Sequence, residues 1–197
     1  MATRTARDFA IRRCSTADAP MLAELGARLF AETYEPTHPE PELSRYLARA
    51  FRVDDVLAAI QNEQVTMFVA EDFDARPVGY AFLRRTGDLP DGVSSYNSYE
   101  IVRFYVEAAA HGRGIGAALM EHCFDEARKR GADTIWVQAW TQALAVGFYQ
   151  RMGFATVGSA PFHFGERVDD DHIMVKALQT ENPHSVQSNK QSSQICD

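Results

Sequence analysis

Glycines at positions 112, 114 and 116 open a helix just after the β-branched and aromatic run of residues 100 to 106. A glycine-rich helix entry leaves the first N–H groups free and lets a ligand approach the backbone. Those groups and the helix dipole together favour an anion, above all a phosphate. The amides of His111, Gly112, Arg113, Gly114, Ile115, Gly116 and Ala117 are therefore expected to hold a pyrophosphate. Arg113 either adds charge there or stands solvated. A P-loop is excluded, because Ala117 and Ala118 occupy the places where it needs Lys and Ser or Thr. The dinucleotide pattern G-x-G-x-x-G/A is met formally by Gly112, Gly114 and Ala117 and stays open as a rival. Against it, Glu107 to His111 separate strand from glycines, and the next strand ends in Gln138, Ala139 and Trp140, with no carboxylate for a ribose. The unit also lies mid-chain without a second mononucleotide half.

The elements that must position this turn follow from periodicity. Phe9 to Arg13 reads as a first strand. Ser15 or Thr16 caps a helix whose Met21, Leu22, Leu25, Leu29 and Phe30 keep a 3.6 period, and Pro36 and Pro39 stop it. Two further helical patches span Glu40 to Phe51 and Val53 to Asn62. Gln64 to Glu71 and Val78 to Arg84 read as an antiparallel hairpin, and Thr86 to Ser98 as a loop. The helix from Gly114 to Arg130 stacks Ile115, Leu119, Cys123 and Ala127 on one stripe. Thr134 to Ala139 is a strand, Thr141 is expected to cap a helix to Arg151, and strands near Phe154 to Phe164 and Ile173 to Leu178 close the order. One strand–helix–strand unit at the centre implies an α/β or α+β mixed sheet, with ligands at the carboxyl ends of its parallel strands. Val106 and Trp140 should then flank one crevice.

The 197 residues, 46% apolar, are enough for one domain, expected over residues 1–178, with a polar disordered tail at 179–197. A net charge of −7 argues against a general nucleic-acid binder. Cys14, Cys123 and Cys196 do not make a disulfide framework. With neither a long apolar run nor a signal-peptide core, a cytoplasmic protein with no membrane partner is the expectation.

Phe104-Tyr105-Val106, His111-Gly-Arg-Gly-Ile-Gly116 and Phe148-Tyr-Gln-Arg-Met-Gly-Phe154 together resemble the GNAT family of N-acetyltransferases, in a layout spanning Phe9 to Leu178. The resemblance implies the GNAT acyl-CoA N-acyltransferase fold and acetyl-CoA as co-substrate, its pyrophosphate on the glycine turn. Within the family, Trp136 to Trp140, Phe162 to Gly165 and Asp171 to Leu178 look most like the PaiA-type branch, associated with spermidine and spermine acetylation. Two residues depart from the pattern: His111 stands where Gln or Arg is usual, and Gln142 where Asn is usual. By the same resemblance, Phe104, backbone groups of Tyr105 and Val106, Gln142 and Phe148 bind the cofactor, and Tyr34, Glu35 and His38 belong to the acceptor loop. A small-molecule amine acceptor is implied, and a homodimer by analogy.

Acetyl transfer to an amine needs a base for an ammonium of pKa near 10.4, an oriented carbonyl, and a proton donor for the thiolate. The resemblance puts a proton-donating tyrosine at Tyr149, two helical turns from Gln142 and so on its side; the other reading is a packed core tyrosine. Glu100 occupies the place of the catalytic glutamate of the histone-acetylating branch. Period-2 alternation sets it on one face with Val102, Phe104 and Val106. Glu100 is equally read as a strand-end carboxylate paired with an arginine such as Arg103, or solvated. Asp169 to Asp171 reads as a solvated acidic turn or a polyamine attractor, and Trp136, Trp140 and Phe154 as core or cleft wall. No metal is expected, since His38 has no partner at ligand spacing. Peptide acetylation and a non-catalytic CoA sensor are the alternatives.

Overall fold

The structure is a computed structural model that describes residues 8–38, 40–165 and 167–178; the expected tail at 179–197 lies outside them. Among the described residues seven strands form one mixed sheet, with helices on both faces. In chain order these are β1 (Phe9–Arg13), α1 (Ala19–Tyr34), α2 (Glu42–Ala50), α3 (Val53–Gln61), β2 (Val65–Asp72), β3 (Pro77–Thr86) and β4 (Ser98–Val106). Then come α4 (Ile115–Lys129), β5 (Thr134–Trp140), α5 (Ala145–Arg151), β6 (Ala155–Phe164) and β7 (Arg167–Ala177). The sheet order is β1-β2-β3-β4-β5-β7-β6. Only β4 and β5 run parallel; every other pair is antiparallel.

Apolar stripes decide the layers. Leu22, Leu25, Leu29 and Phe30 recur at helical spacing and bury α1 on one face of the sheet, with α3 beside it. Leu119, Cys123 and Ala127 bury α4 on the other face, against Ile135 and Val137 of β5. At the start of α1, Asp18 accepts from both the amide and hydroxyl of Ser15, an N-terminal lock that the Ser/Asp spacing allows.

Two features shape the centre. First, β4 pairs with β5 only from Ser98↔Thr134 to Ile101↔Val137. Beyond that Arg103 to Val106 pair only with β3, and Gln138 to Trp140 only with β7, so the two parallel strands part. Second, β4 bulges. Phe82 opposes Arg103 while Leu83 opposes Ile101, which leaves Val102 as an extra residue. The bulge flips the side-chain alternation. Tyr99 and Ile101 before it, and Phe104 and Val106 after it, all face α4. Glu100, opposite Arg84, therefore shares the α1 face with Arg103 and Tyr105, and the expected common face of Glu100 and Phe104 is corrected. A one-residue insertion reverses a period of two.

Three expected boundaries also move. Thr141 does not cap α5: its amide donates to the Asp170 carbonyl at 3.2 Å, and the helix starts only at Ala145. Strand β7 begins at Arg167, so Asp169 to Asp171 is strand and not a turn. The register with β6 runs through all three aspartates. The Glu40 patch starts as helix at Glu42.

Gly79 lies opposite Val106 where the strands part, and an added Cβ there would stand 2.8 Å from the Tyr105 carbonyl oxygen. Backbone cannot give way as a flexible side chain can. Gly79→Ala is expected to destabilise the fold by roughly 1–3 kcal/mol, read as a lower urea midpoint.

Candidate active site

The parting strands leave the β5-side edge of Arg103 to Val106 without a strand partner, next to the glycine turn. Gly112 and Gly114 have φ of 76° and 80°, the left-handed region, and an added Cβ at either would meet no atom within 4 Å. These glycines answer a backbone demand, and the space beside them is open. Ala118 donates to the Gly114 carbonyl at 3.0 Å, so the helical ladder starts there and the preceding amides form an uncapped, positive helix end. His111 is not among them: its amide donates to Ala108 at 3.1 Å. Its ring Nε2 lies 2.8 Å from the Val106 carbonyl. That oxygen only accepts, so Nε2 carries the proton, and the ring ties the turn to the strand end. The amides left to meet an anion there therefore narrow to residues 112–117. Arg113 reaches the Asp8 carbonyl at 3.3 Å.

The α4-side wall comes from α5. Phe148 stacks on Phe104 at 5.4 Å between centroids and packs near Gly116 and Val106. Tyr149, 4% exposed, touches the rings of Phe104, Phe148 and Phe154. Burial pushes its hydroxyl above the usual tyrosine value, so it stays protonated at neutral pH and is available as a donor. Gln142 is exposed in the turn before α5, so the helical-face argument that linked it to Tyr149 fails: residue 142 is not helical.

The opposite face holds the acceptor-loop residues. Tyr34 ends α1 and stands across the gap. Its hydroxyl lies beside that of Tyr105, and its ring is 5.7 Å from Trp140. His38, 2% exposed, packs on Tyr34, Trp140 and Phe164 and donates Nε2–H to Asp169 at 2.7 Å. Glu35 is exposed and joins none of this. Glu100 is ion-paired with Arg84, not Arg103, and borders with Trp136 a surface cavity of about 370 Å³ that also includes Arg85 and Asp88. Arg103 instead donates to the Ala50 carbonyl at 2.6 Å and covers the Phe51 ring. Among the described residues no cluster of three His, Cys, Asp or Glu could hold a metal, and no helix is long and apolar enough to cross a membrane.

The solvated reading of Asp169 to Asp171 is corrected for two of the three. Asp169 and Asp171 lie two apart on β7, both buried and facing α1. At Asp169 burial opposes ionisation, but hydrogen bonds from His38 and Arg167 outweigh it and hold the carboxyl below its usual range. Among the described residues Asp171 has only Gln138, at 3.2 Å, and its Oδ1 is buried with no partner. Burial, helped by Asp169 and Asp170, pushes it up to about 6. The signal available in the sequence was alternation: Asp169 and Asp171 continue the period of Ile173.

Known proteins share this plan. The Acetyltransferase (GNAT) family pattern matches residues 27–154. An uncharacterised N-acetyltransferase of Mycobacterium tuberculosis is 26% identical over 82% of this chain and 98% of its own length. The chloroplastic serotonin N-acetyltransferase 2 of Oryza sativa is 33% identical over 76% of this chain and 63% of its own. Among solved structures, the PaiA N-acetyltransferase of Thermoplasma acidophilum in complex with coenzyme A superposes with a TM-score of 0.69 at 19% identity, covering 86% of this chain and 98% of that one.

A carboxyl whose folded value lies above its unfolded one costs stability at neutral pH, and the cost disappears as pH falls through both values. Asp171→Asn is therefore expected to raise the melting temperature at pH 8, by an equivalent of roughly 1–3 kcal/mol. The gain should vanish below about pH 4, near the unfolded carboxyl value, in thermal melts across pH.

Proposed function

We propose that this chain, which belongs to the acetyltransferase (GNAT) family, moves the acetyl group of acetyl-CoA onto the primary amine of a small cationic molecule. The observation that carries this reading is the parting of β4 from β5 beyond Ile101 and Val137, beside a helix entry with open space at its glycines and no side-chain cap. An exposed strand edge offers N–H and C=O groups to an amide-bearing chain, as an added strand would. An uncapped helix start offers its dipole to a diphosphate. Acetyl-CoA carries both parts in one molecule.

In this reading Arg103 to Val106 bind the arm of the cofactor through main-chain groups. The amides of residues 112–117 bind its diphosphate, and Phe104, Val106 and Phe148 line the apolar wall. Tyr149, protonated and buried behind that wall, gives a proton to the departing thiolate. Gln142 stands at the rim. Tyr34 and His38 shape the acceptor side, on the far face of the sheet, so donor and acceptor meet through the gap. Glu100 is held by Arg84 and would have to leave that partner to act as the base. A cationic acceptor suits the acidic chain and the aromatic ring cluster. Polyamines join the acceptors to be tried, with the PaiA-like layout in support, and arylalkylamines join them because a relative is named for serotonin.

Calorimetry with acetyl-CoA, and thiol release with spermidine, phenethylamine and lysine peptides, test the assignment. Turnover of the small amines is expected; turnover of peptides alone, or binding without turnover, would replace it. Tyr149→Phe should lower kcat at least tenfold while leaving acetyl-CoA affinity within about twofold, a cost near 1.4 kcal/mol or more in the transition state. Gly114→Ala should weaken acetyl-CoA binding severalfold, since left-handed backbone costs a non-glycine residue about 1 kcal/mol or more. Loss of the acid limb of the pH–rate profile in Glu100→Gln would make Glu100 the base; an unchanged profile leaves it part of the scaffold.

A further inference from the structure

On the α1 face of the sheet, the carboxylate of Asp171 sits at the end of β5, cross-strand from Trp140. It is 4% exposed, and among the described residues only one of its two oxygens, Oδ2, has a partner, Gln138 from β5. A buried acceptor left without a donor is uncommon and costs free energy unless a ligand supplies the bond. Its neighbour in the same face, Asp169, shows the contrast: His38 and Arg167 satisfy it from two sides at 2.7 Å each. The surroundings of Asp171 specify the missing donor. Trp140 stands across the strand pair, and the Tyr34 ring lies 5.7 Å from it. An unpaired carboxylate beside aromatic faces is a site for an organic cation, which gains both charge pairing and ring contact.

We infer that Asp171 receives the ammonium group of the acceptor beside Tyr34 and Trp140 and removes one of its protons before acetyl transfer. This rests on the acetyl-transfer reading above and adds to it the acceptor's docking point and the base. The step balances as follows. One proton passes from the ammonium to the carboxylate, and the freed nitrogen lone pair forms the N–C bond to the thioester carbonyl. As the C–S bond breaks, Tyr149 gives its proton to sulfur and is reprotonated by the second nitrogen proton, and Asp171 returns its own to water. The products are the amide, the thiol and one proton.

The groups facing Asp171 fix how it responds to pH. Asp169 and Asp170 on its own strand raise its proton affinity and His172 lowers it. Tyr34 faces it from α1 with a hydroxyl that stays protonated. From β5 it meets Gln138, and its β6 register partner is Ala160, neither of which titrates.

The experiment compares wild type with Asp171→Asn and Asp171→Glu, using butylamine, phenethylamine and spermidine with saturating acetyl-CoA. Asp171→Asn should raise the amine KM at least tenfold and abolish the fall of kcat/KM below about pH 6, with acetyl-CoA affinity by calorimetry unchanged. Asp171→Glu should recover part of the loss. An Asn variant that keeps both the amine KM and the acid limb overturns the inference. A second measurement needs no variant: butylammonium affinity of the wild-type protein should drop at least tenfold from pH 7 to pH 5, and equal affinity at both overturns it. Wild-type protein that binds acetyl-CoA but acetylates none of these amines overturns this inference and leaves the cofactor assignment standing. Protein that ignores acetyl-CoA removes both.

Discussion

The structure depends on two parallel strands that begin a ladder and then abandon it. Strands β4 and β5 share register from Ser98 to Ile101 and part afterwards, although both continue, each paired on its outer side. Backbone N–H and C=O groups in the middle of a sheet ordinarily have partners on both sides, and withdrawing them costs free energy that something else must offset. Here the outer pairings stay intact, so the sheet keeps its order while its centre opens. Gly79 permits the close approach of β3 to β4 at that point, and His111 ties the following turn to the Val106 carbonyl.

The opening divides the molecule into two chemical faces. On the α4 side, the helix start and the stacked rings of Phe104 and Phe148 make a positive end beside an apolar wall. On the α1 side, Tyr34, His38 and Trp140 surround carboxylates carried by β7. The Val102 bulge is what sorts β4 residues between the two: it sends Phe104 to one face and Arg103 and Tyr105 to the other. An acetyl transfer from a phosphate-bearing donor to an amine suits a sheet whose two sides differ in charge and meet through the gap.

The paired aspartates show how environment assigns roles to one residue type. Asp169 and Asp171 are both buried, yet two good donors hold one ionised while the other keeps an unsatisfied oxygen and a raised proton affinity. Carboxylates pushed apart in this way are how a fold separates a structural acid from a reactive one. The stability given up at Asp171 is a local cost that packing of the apolar layers must cover.

The sequence by itself determined the order of elements and the glycine turn that opens α4. Each of these is written in local spacing: a period of 3.6 or 2, glycines that alone accept left-handed backbone, β-branched runs. Tertiary structure alone decided the partners. Glu100 meets Arg84 instead of Arg103, because a single inserted residue reverses the alternation of β4. Gln142 falls outside its helix, because the Thr141 amide is taken by β7. Asp171 is buried and half-satisfied because Gln138 and Tyr34 arrive from 33 and 137 residues away. Periodicity counts along the chain, whereas burial and hydrogen-bond supply depend on what the fold brings from elsewhere.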